Sequence, residues 1–136
     1  MRLWHEKLIP HLPRQQLLGQ HRECCALRGA GWGKSHSTIN YVFDHPIEWL
    51  WLYHLRVMEE MLNRGYKPDY SWLQITYRGK NTPSIVYSES SHPNIDELNT
   101  KLSSTIYPEH DKEYLEECLN NLRSKGIYIN YTEKEI

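Results

Sequence analysis

The stretch from Ile47 to Arg64 constrains this chain more than any other. Bulky, mostly apolar residues recur at 47, 50, 51, 54, 57, 58, 61 and 62, the 3.6-residue repeat of a helix. Asp44-His45-Pro46 supplies a start and Gly65 a stop. The first half is apolar almost all round, so the helix should be buried on most sides, with the rest of the chain wrapped around it. A buried central helix in a chain of 136 residues predicts a mainly α protein, a single compact domain spanning residues 1–136.

The other elements read less strongly. Pro13 to Gly29 predicts a first helix, with proline near its start and glycine past its end. Positions 17, 21, 24 and 28 form one row on it and 18, 22 and 25 another, which leaves Arg22 and Glu23 at the edge of the buried stripe or outside it. Gly19 is an odd choice in mid-helix, where it costs about 1 kcal/mol against alanine. Close approach of another backbone or a ligand would explain it. Shorter helices are expected from about Pro93 to Leu102 and from about Pro108 to Lys125, about four in all. The β-like runs 71–77 and 84–87 predict a loose extended or hairpin segment around residues 70–90.

Composition removes several function classes. The longest uninterrupted apolar run is Trp49-Leu50-Trp51-Leu52-Tyr53, far short of the roughly 20 residues a membrane span needs. No signal-peptide pattern follows Met1, so neither export nor membrane residence is expected. Three cysteines, two of them adjacent at Cys24 and Cys25, give no paired disulfide framework, and reduced thiols in the cytoplasm are expected. The loop Gly29-Ala30-Gly31-Trp32-Gly33-Lys34-Ser35 is not a nucleotide phosphate loop: position 28 is arginine where that spacing needs glycine, and a helix precedes it.

Near neutrality overall, 16 Lys and Arg against 17 Asp and Glu, hides an asymmetry. Residues 1–34 carry Arg2, Lys7, Arg14, Arg22, Arg28 and Lys34 against only Glu6 and Glu23, whereas residues 107–136 are net acidic. A basic segment on a neutral chain is a local footprint for a polyanion. Ten tyrosines and five tryptophans against one phenylalanine supply large rings with polar handles, suited to a half-wet, base-stacking groove or to a tyrosine-rich core. Trp4, Trp32 and Tyr41 are candidates for such a rim.

Ordinary nucleophiles and metal sites find little support. Cys24 and Cys25 point about 100° apart on a helix with no assignable base, and His5, His11 and His21 are spread over loop and helix, so no metal and no cofactor is expected. The amino terminus is different. An ordinary α-amine titrates near 8 and is roughly 10–15% unprotonated at pH 7, against about 0.04% for a lysine near 10.4. Met1-Arg2-Leu3-Trp4 places two bulky apolar residues directly behind that amine, and Arg2 should hinder removal of Met1. The Met1 amine is therefore expected as a fixed, mature terminus able to form an imine.

Met1-Arg2-Leu3-Trp4, the helix bearing Gln20-His21-Arg22-Glu23, and the stretch from Thr38-Ile39-Asn40-Tyr41 through His54 to Lys67, with its Glu60-Met61-Leu62-Asn63-Arg64-Gly65-Tyr66 close, resemble the pyrimidine-dimer DNA glycosylases related to bacteriophage endonuclease V. The resemblance covers about the first seventy residues. The remainder, including Tyr107-Pro108-Glu109-His110, looks more like a group of bacterial homologues. The resemblance implies a small, mostly helical DNA-repair enzyme without metal or cofactor. Its terminal amine attacks the sugar of a damaged nucleotide, releases the base and forms an imine, and β-elimination then cuts the strand. Carried over by position, Met1 supplies the amine and Glu23 the assisting carboxylate. Arg2 and Arg22 match arginines that hold phosphates around the flipped-out nucleotide, and His21 stands where the family has an aromatic neighbour.

The expected partner is double-stranded DNA with damaged bases or abasic sites, bound by a monomer through Arg2, Arg22, His21, Arg28 and Lys34. A carboxylate beside an imine stabilises the cationic sugar and moves protons during elimination, and arginine forks suit phosphate oxygens. The rival is a non-catalytic DNA-binding module on the same basic face, which would bind in a salt-sensitive way yet leave abasic DNA uncut. A third reading is a protein-interaction domain with a Tyr/Trp surface.

Overall fold

A computed structural model describes residues 1–131. Among them are four α-helices: α1 (Arg14–Arg28), α2 (Ile47–Asn63), α3 (Ile95–Leu102) and α4 (Lys112–Ser124). Short 3₁₀ helices cover Glu6–His11, Asn40–Asp44 and Tyr70–Leu73, and no strand occurs among the described residues. The protein is mainly α.

The central helix is α2. Leu50, Leu52, Tyr53, His54, Val57, Met58 and Met61 are buried along it, and it packs against α1, α3 and the turns at Glu6–His11 and Asn40–Asp44. Its end follows from Gly65, whose φ of +86° reverses the chain so that Tyr66 N–H reaches Met61 O at 2.8 Å and Gly65 N–H reaches Leu62 O at 3.0 Å. Gly126, at φ +79°, ends α4 in the same way, with Ile127 N–H on Leu122 O. Both glycines sit where a left-handed residue closes a helix by satisfying its last carbonyls. Asn94 and Asp111 cap α3 and α4 through their side chains.

Of the loose extended or hairpin segment expected around 70–90, the structure has the loose form, with one backbone bond joining the two runs, Ile85 N–H to Thr76 O. Two arginines organise this region instead. Arg28 donates to the carbonyls of Trp72, Gln74 and Tyr77, while Arg78 donates to the carbonyls of Arg28 and Gly29. Each guanidinium satisfies backbone of the other's segment, which folds residues 70–78 onto the C-terminal end of α1.

The C-terminal half is bolted to the first residues by Glu6. Its buried carboxylate accepts from Arg56 Nη1 at 2.6 Å and from Ile106 N–H at 2.9 Å. The segment before α4 is thereby held beside the amino terminus, and α4 can complete whatever the terminus begins.

Candidate active site

Residues 1–5 form no regular structure, yet they are not frayed: Leu3 is fully buried and Trp4 nearly so. Strand pairing is absent here, so side chains do its work. Thr38 Oγ donates to Met1 O in a short hydrogen bond, Gln20 Nε2 to Arg2 O at 3.1 Å, Tyr114 Oη to Leu3 O at 2.5 Å and Tyr53 Oη to Trp4 O at 2.6 Å. Four consecutive carbonyls are thus gripped from four places: the loop after α1, α1 itself, α4 and α2. Met1 remains 44% exposed at the end of this clamp, so the residue is held without being covered.

That end opens into a cleft of about 300 Å³ lined by Met1, Arg2, Trp4, Glu23, Thr38, Asn121 and Lys125. Glu23 enters from α1. Burial pushes its carboxyl above the usual glutamate range, and the Met1 amine, the Arg2 backbone N–H, Gln20 and Lys125 oppose that rise. The terminal cation and the carboxylate therefore act on one another across the cleft. Gln20 Nε2 donates to Glu23 Oε2 at 3.0 Å. Asn121 Oδ1 is buried in the wall with no hydrogen-bond partner among the described residues, an acceptor left over for an entering group.

The structure brings Met1, Arg2 and Glu23 together and leaves other expected residues apart. Arg22 is exposed next to Glu23 on α1, its guanidinium lying over Gly19. Lys34 is exposed on the loop after α1 and does not line the cleft. Arg28 needs correction: it is 1% exposed, and its donors are spent on three carbonyls and His54, so it presents nothing to a polyanion. His21 is half-buried and faces His54, about 200° around α1 from Glu23. Of the expected rim rings only Trp4 lines the cleft; Trp32 packs edge-on to Phe43 and Tyr41 hydrogen-bonds His110.

His21, Cys25 and His54 place three ligand-type atoms within 4.8 Å of one another, one grouping of metal-ligating side chains among the described residues. Their protons are committed otherwise. Arg28 Nη1 lies 2.8 Å from His54 Nδ1, and a guanidinium only donates, so Nδ1 accepts and Nε2 carries the proton. That N–H then donates to His21 Nδ1 at 2.8 Å. A cation on His54 Nε2 would force the proton onto Nδ1, against the arginine, and would sit beside its fixed positive charge. The donor set does not fit a metal centre.

Sequence reasoning missed Gln20, Thr38, Tyr53, Tyr114, Asn121 and Lys125. Gln20 alone carried a signal, because it lies one turn before Glu23 on the same face of α1. The others arrive from distant elements, and no local pattern marks them.

A helical protein whose amino terminus shares a polar cleft with a helix-borne carboxylate is the setting for the comparison with known proteins. Residues 1–74 match the family model described as pyrimidine dimer DNA glycosylase. That is more than half the chain, and the chain belongs to this family of DNA-repair glycosylases, with DNA as the substrate class. No curated protein and no solved structure matches it. No helix among the described residues is long and apolar enough to cross a membrane.

Proposed function

We propose that this chain is a DNA glycosylase with abasic-site lyase activity, acting as a monomer on pyrimidine dimers or a related base lesion through the Met1 amine. The unprotonated amine attacks C1′ of the damaged nucleotide. The glycosidic bond breaks, the base leaves with the bonding pair and takes a proton, and the sugar ring opens to an imine. Removal of a C2′ proton then expels the 3′ phosphate by β-elimination, and water releases the chain. Glu23 stabilises the developing positive charge and carries the protons. Arg2 and Lys125, which line the cleft, and Arg22, exposed beside Glu23, hold phosphates, with Lys34 on the loop after α1.

One observation supports this reading: the carbonyls of Met1, Arg2, Leu3 and Trp4 are all clamped, so the residue that bears the amine is held at the cleft that Glu23 also lines. Such prepaid positioning is worth several kcal/mol of barrier when two reacting groups would otherwise have to find each other.

Borohydride reduction during incubation with abasic or dimer-containing duplex DNA tests it. The expected product is a covalent adduct whose mass maps to the amino-terminal peptide, accompanied by strand cleavage. Salt-sensitive binding without adduct or cleavage identifies a non-catalytic module and overturns the proposal. An adduct on a lysine overturns the assignment to Met1.

A further inference from the structure

Gln20 is 1% exposed, and a glutamine buried that deeply is costly unless every polar atom is used. Here every one is. Oε1 accepts from Trp4 N–H at 2.8 Å and lies 2.9 Å from Tyr53 Oη, whose single proton it shares with Trp4 O, and Nε2 donates to Arg2 O at 3.1 Å and to Glu23 Oε2 at 3.0 Å. Two acceptor and two donor capacities meet four partners, which fixes the amide's orientation, since a flip would turn its donors onto Trp4 N–H. Two of these partners, Trp4 N–H and Arg2 O, belong to the segment that carries Met1, and the third, Tyr53, grips the same segment at Trp4 O. The fourth is the carboxylate.

We propose that Gln20 is the positioning residue of this cleft: a single buried amide that ties the Met1-bearing segment and the Glu23 carboxylate into one rigid geometry. The inference rests on the amine-based reading above. It adds a residue that touches neither substrate nor amine and acts through Glu23 and the backbone of Arg2 and Trp4. The charged groups facing Glu23 are the Met1 amine from the terminal segment and Lys125 from the residue that follows α4; Arg2 N–H and Gln20 supply neutral donors. A donor to the ionised carboxylate favours that form, so losing Gln20 Nε2 moves Glu23's titration upward, against unchanged cations.

Two substitutions separate the halves of the amide. Gln20→Glu keeps an oxygen for Trp4 N–H and Tyr53 Oη, and so keeps much of the clamp, while replacing the donor to Glu23 by a second carboxyl. Gln20→Met is close in volume and removes both halves. The titration of Glu23 is followed in each full-length variant, without DNA, by the NMR shift of its ¹³C-labelled side-chain carboxyl. Adduct formation is followed in single turnover with borohydride on abasic duplex. The midpoint is expected to rise by about 0.5–1 pH unit in Gln20→Met, the equivalent of one net hydrogen bond, and further in Gln20→Glu, where two carboxyls share the site. Single-turnover adduct formation should fall roughly 10- to 100-fold in both, with DNA affinity within about threefold of wild type. A midpoint unchanged in Gln20→Glu overturns the proposal, as does a full rate of adduct formation in either variant. Should the wild-type protein form no adduct, the amine-based reading fails, while the midpoint still decides whether Gln20 governs the carboxylate.

Discussion

Helix α1 carries two polar constellations on different sides, and they have opposite fates. On one side Glu23 faces a cleft with the terminal amine, its hydrogen bonds only partly supplied by Gln20 and Arg2 and its remaining space open. On the other, Arg28 and His54 are buried with His21 and Cys25 half-buried beside them, and Arg28, bonded to His54 and to the carbonyls of Trp72, Gln74 and Tyr77, is closed to an outside partner. Charge alone would rank Arg28 above Glu23 as a group awaiting DNA. What separates them is satisfaction: polar groups whose partners all come from the chain stabilise the fold, and groups left incomplete beside an opening are free to do chemistry.

The largest effect should come from the open side. Glu23→Gln keeps shape and burial but cannot carry a proton, and adduct formation with abasic DNA should fall about 10²- to 10⁴-fold with DNA affinity little changed. Single-turnover trapping beside a binding titration reads both, and a rate within tenfold of wild type would erase the functional contrast between the two sides. Arg28→Met breaks the closed side. It strips buried carbonyls of Trp72, Gln74 and Tyr77 and leaves His54 Nδ1 without its donor, so the expected loss is about 3–5 kcal/mol of stability by denaturant unfolding. The folded fraction should still trap DNA, because nothing in the cleft touches Arg28.

Much of this division was legible before any coordinates. Positions 17, 21, 24 and 28 share one helical row with the apolar Leu17 and Cys24, which already places His21 and Arg28 inward and Arg22 and Glu23 at the edge; the charge of Arg28 drew the opposite conclusion from the same row. The glycine-closed ends of α2 and α4 and the cysteines free of disulfides are also what local sequence dictates. The clamp was not legible. Tyr53, Tyr114 and Thr38 reach the first four residues across 37 to 111 positions of sequence, and nothing near them encodes a partner so distant. What holds the segment 70–78 was not legible for a related reason: the backbone carbonyls of Trp72, Gln74 and Tyr77 accept from the Arg28 side chain rather than from a neighbouring strand.

Acid should separate the two sides next. Burial, then Arg28, then His21 hold His54 well below the ordinary imidazole range, and burial followed by His110 brings His5 down to about 4. A histidine depressed by folding contributes stability above its unfolded value near 6.5, and that stability is lost as pH falls through the window toward the folded value. For His5 the window runs from about 6.5 to about 4 and is worth about 2–3 kcal/mol. Glu23 has the reverse sign. Its raised carboxyl favours the fold at low pH, and the benefit disappears as pH rises past its folded value. Unfolding free energy should therefore fall from pH 7 to pH 4.5. The stability advantage of Glu23→Gln over wild type should be greatest at pH 7 and vanish toward pH 4.5. A difference independent of pH would mean that folding does not displace Glu23 at all.

The smallest effect falls on Gly19, one turn before Glu23 on α1. A side chain there would meet only the Arg22 guanidinium, 3.7 Å from an ideal Cβ, which is ordinary contact. No backbone approaches, so the close-packing explanation for a mid-helix glycine does not apply. Gly19→Ala should then stabilise the protein by about 0.5–1 kcal/mol through helix propensity alone. Its rate of adduct formation should match wild type, since the added methyl group neither reaches the cleft lining nor displaces Glu23. A stabilised variant that binds DNA more weakly would show that the hollow over Gly19 lets Arg22 swing toward a phosphate, making the glycine part of the open side. A variant that loses stability would show that the first turns of α1 are packed more tightly than their contacts indicate.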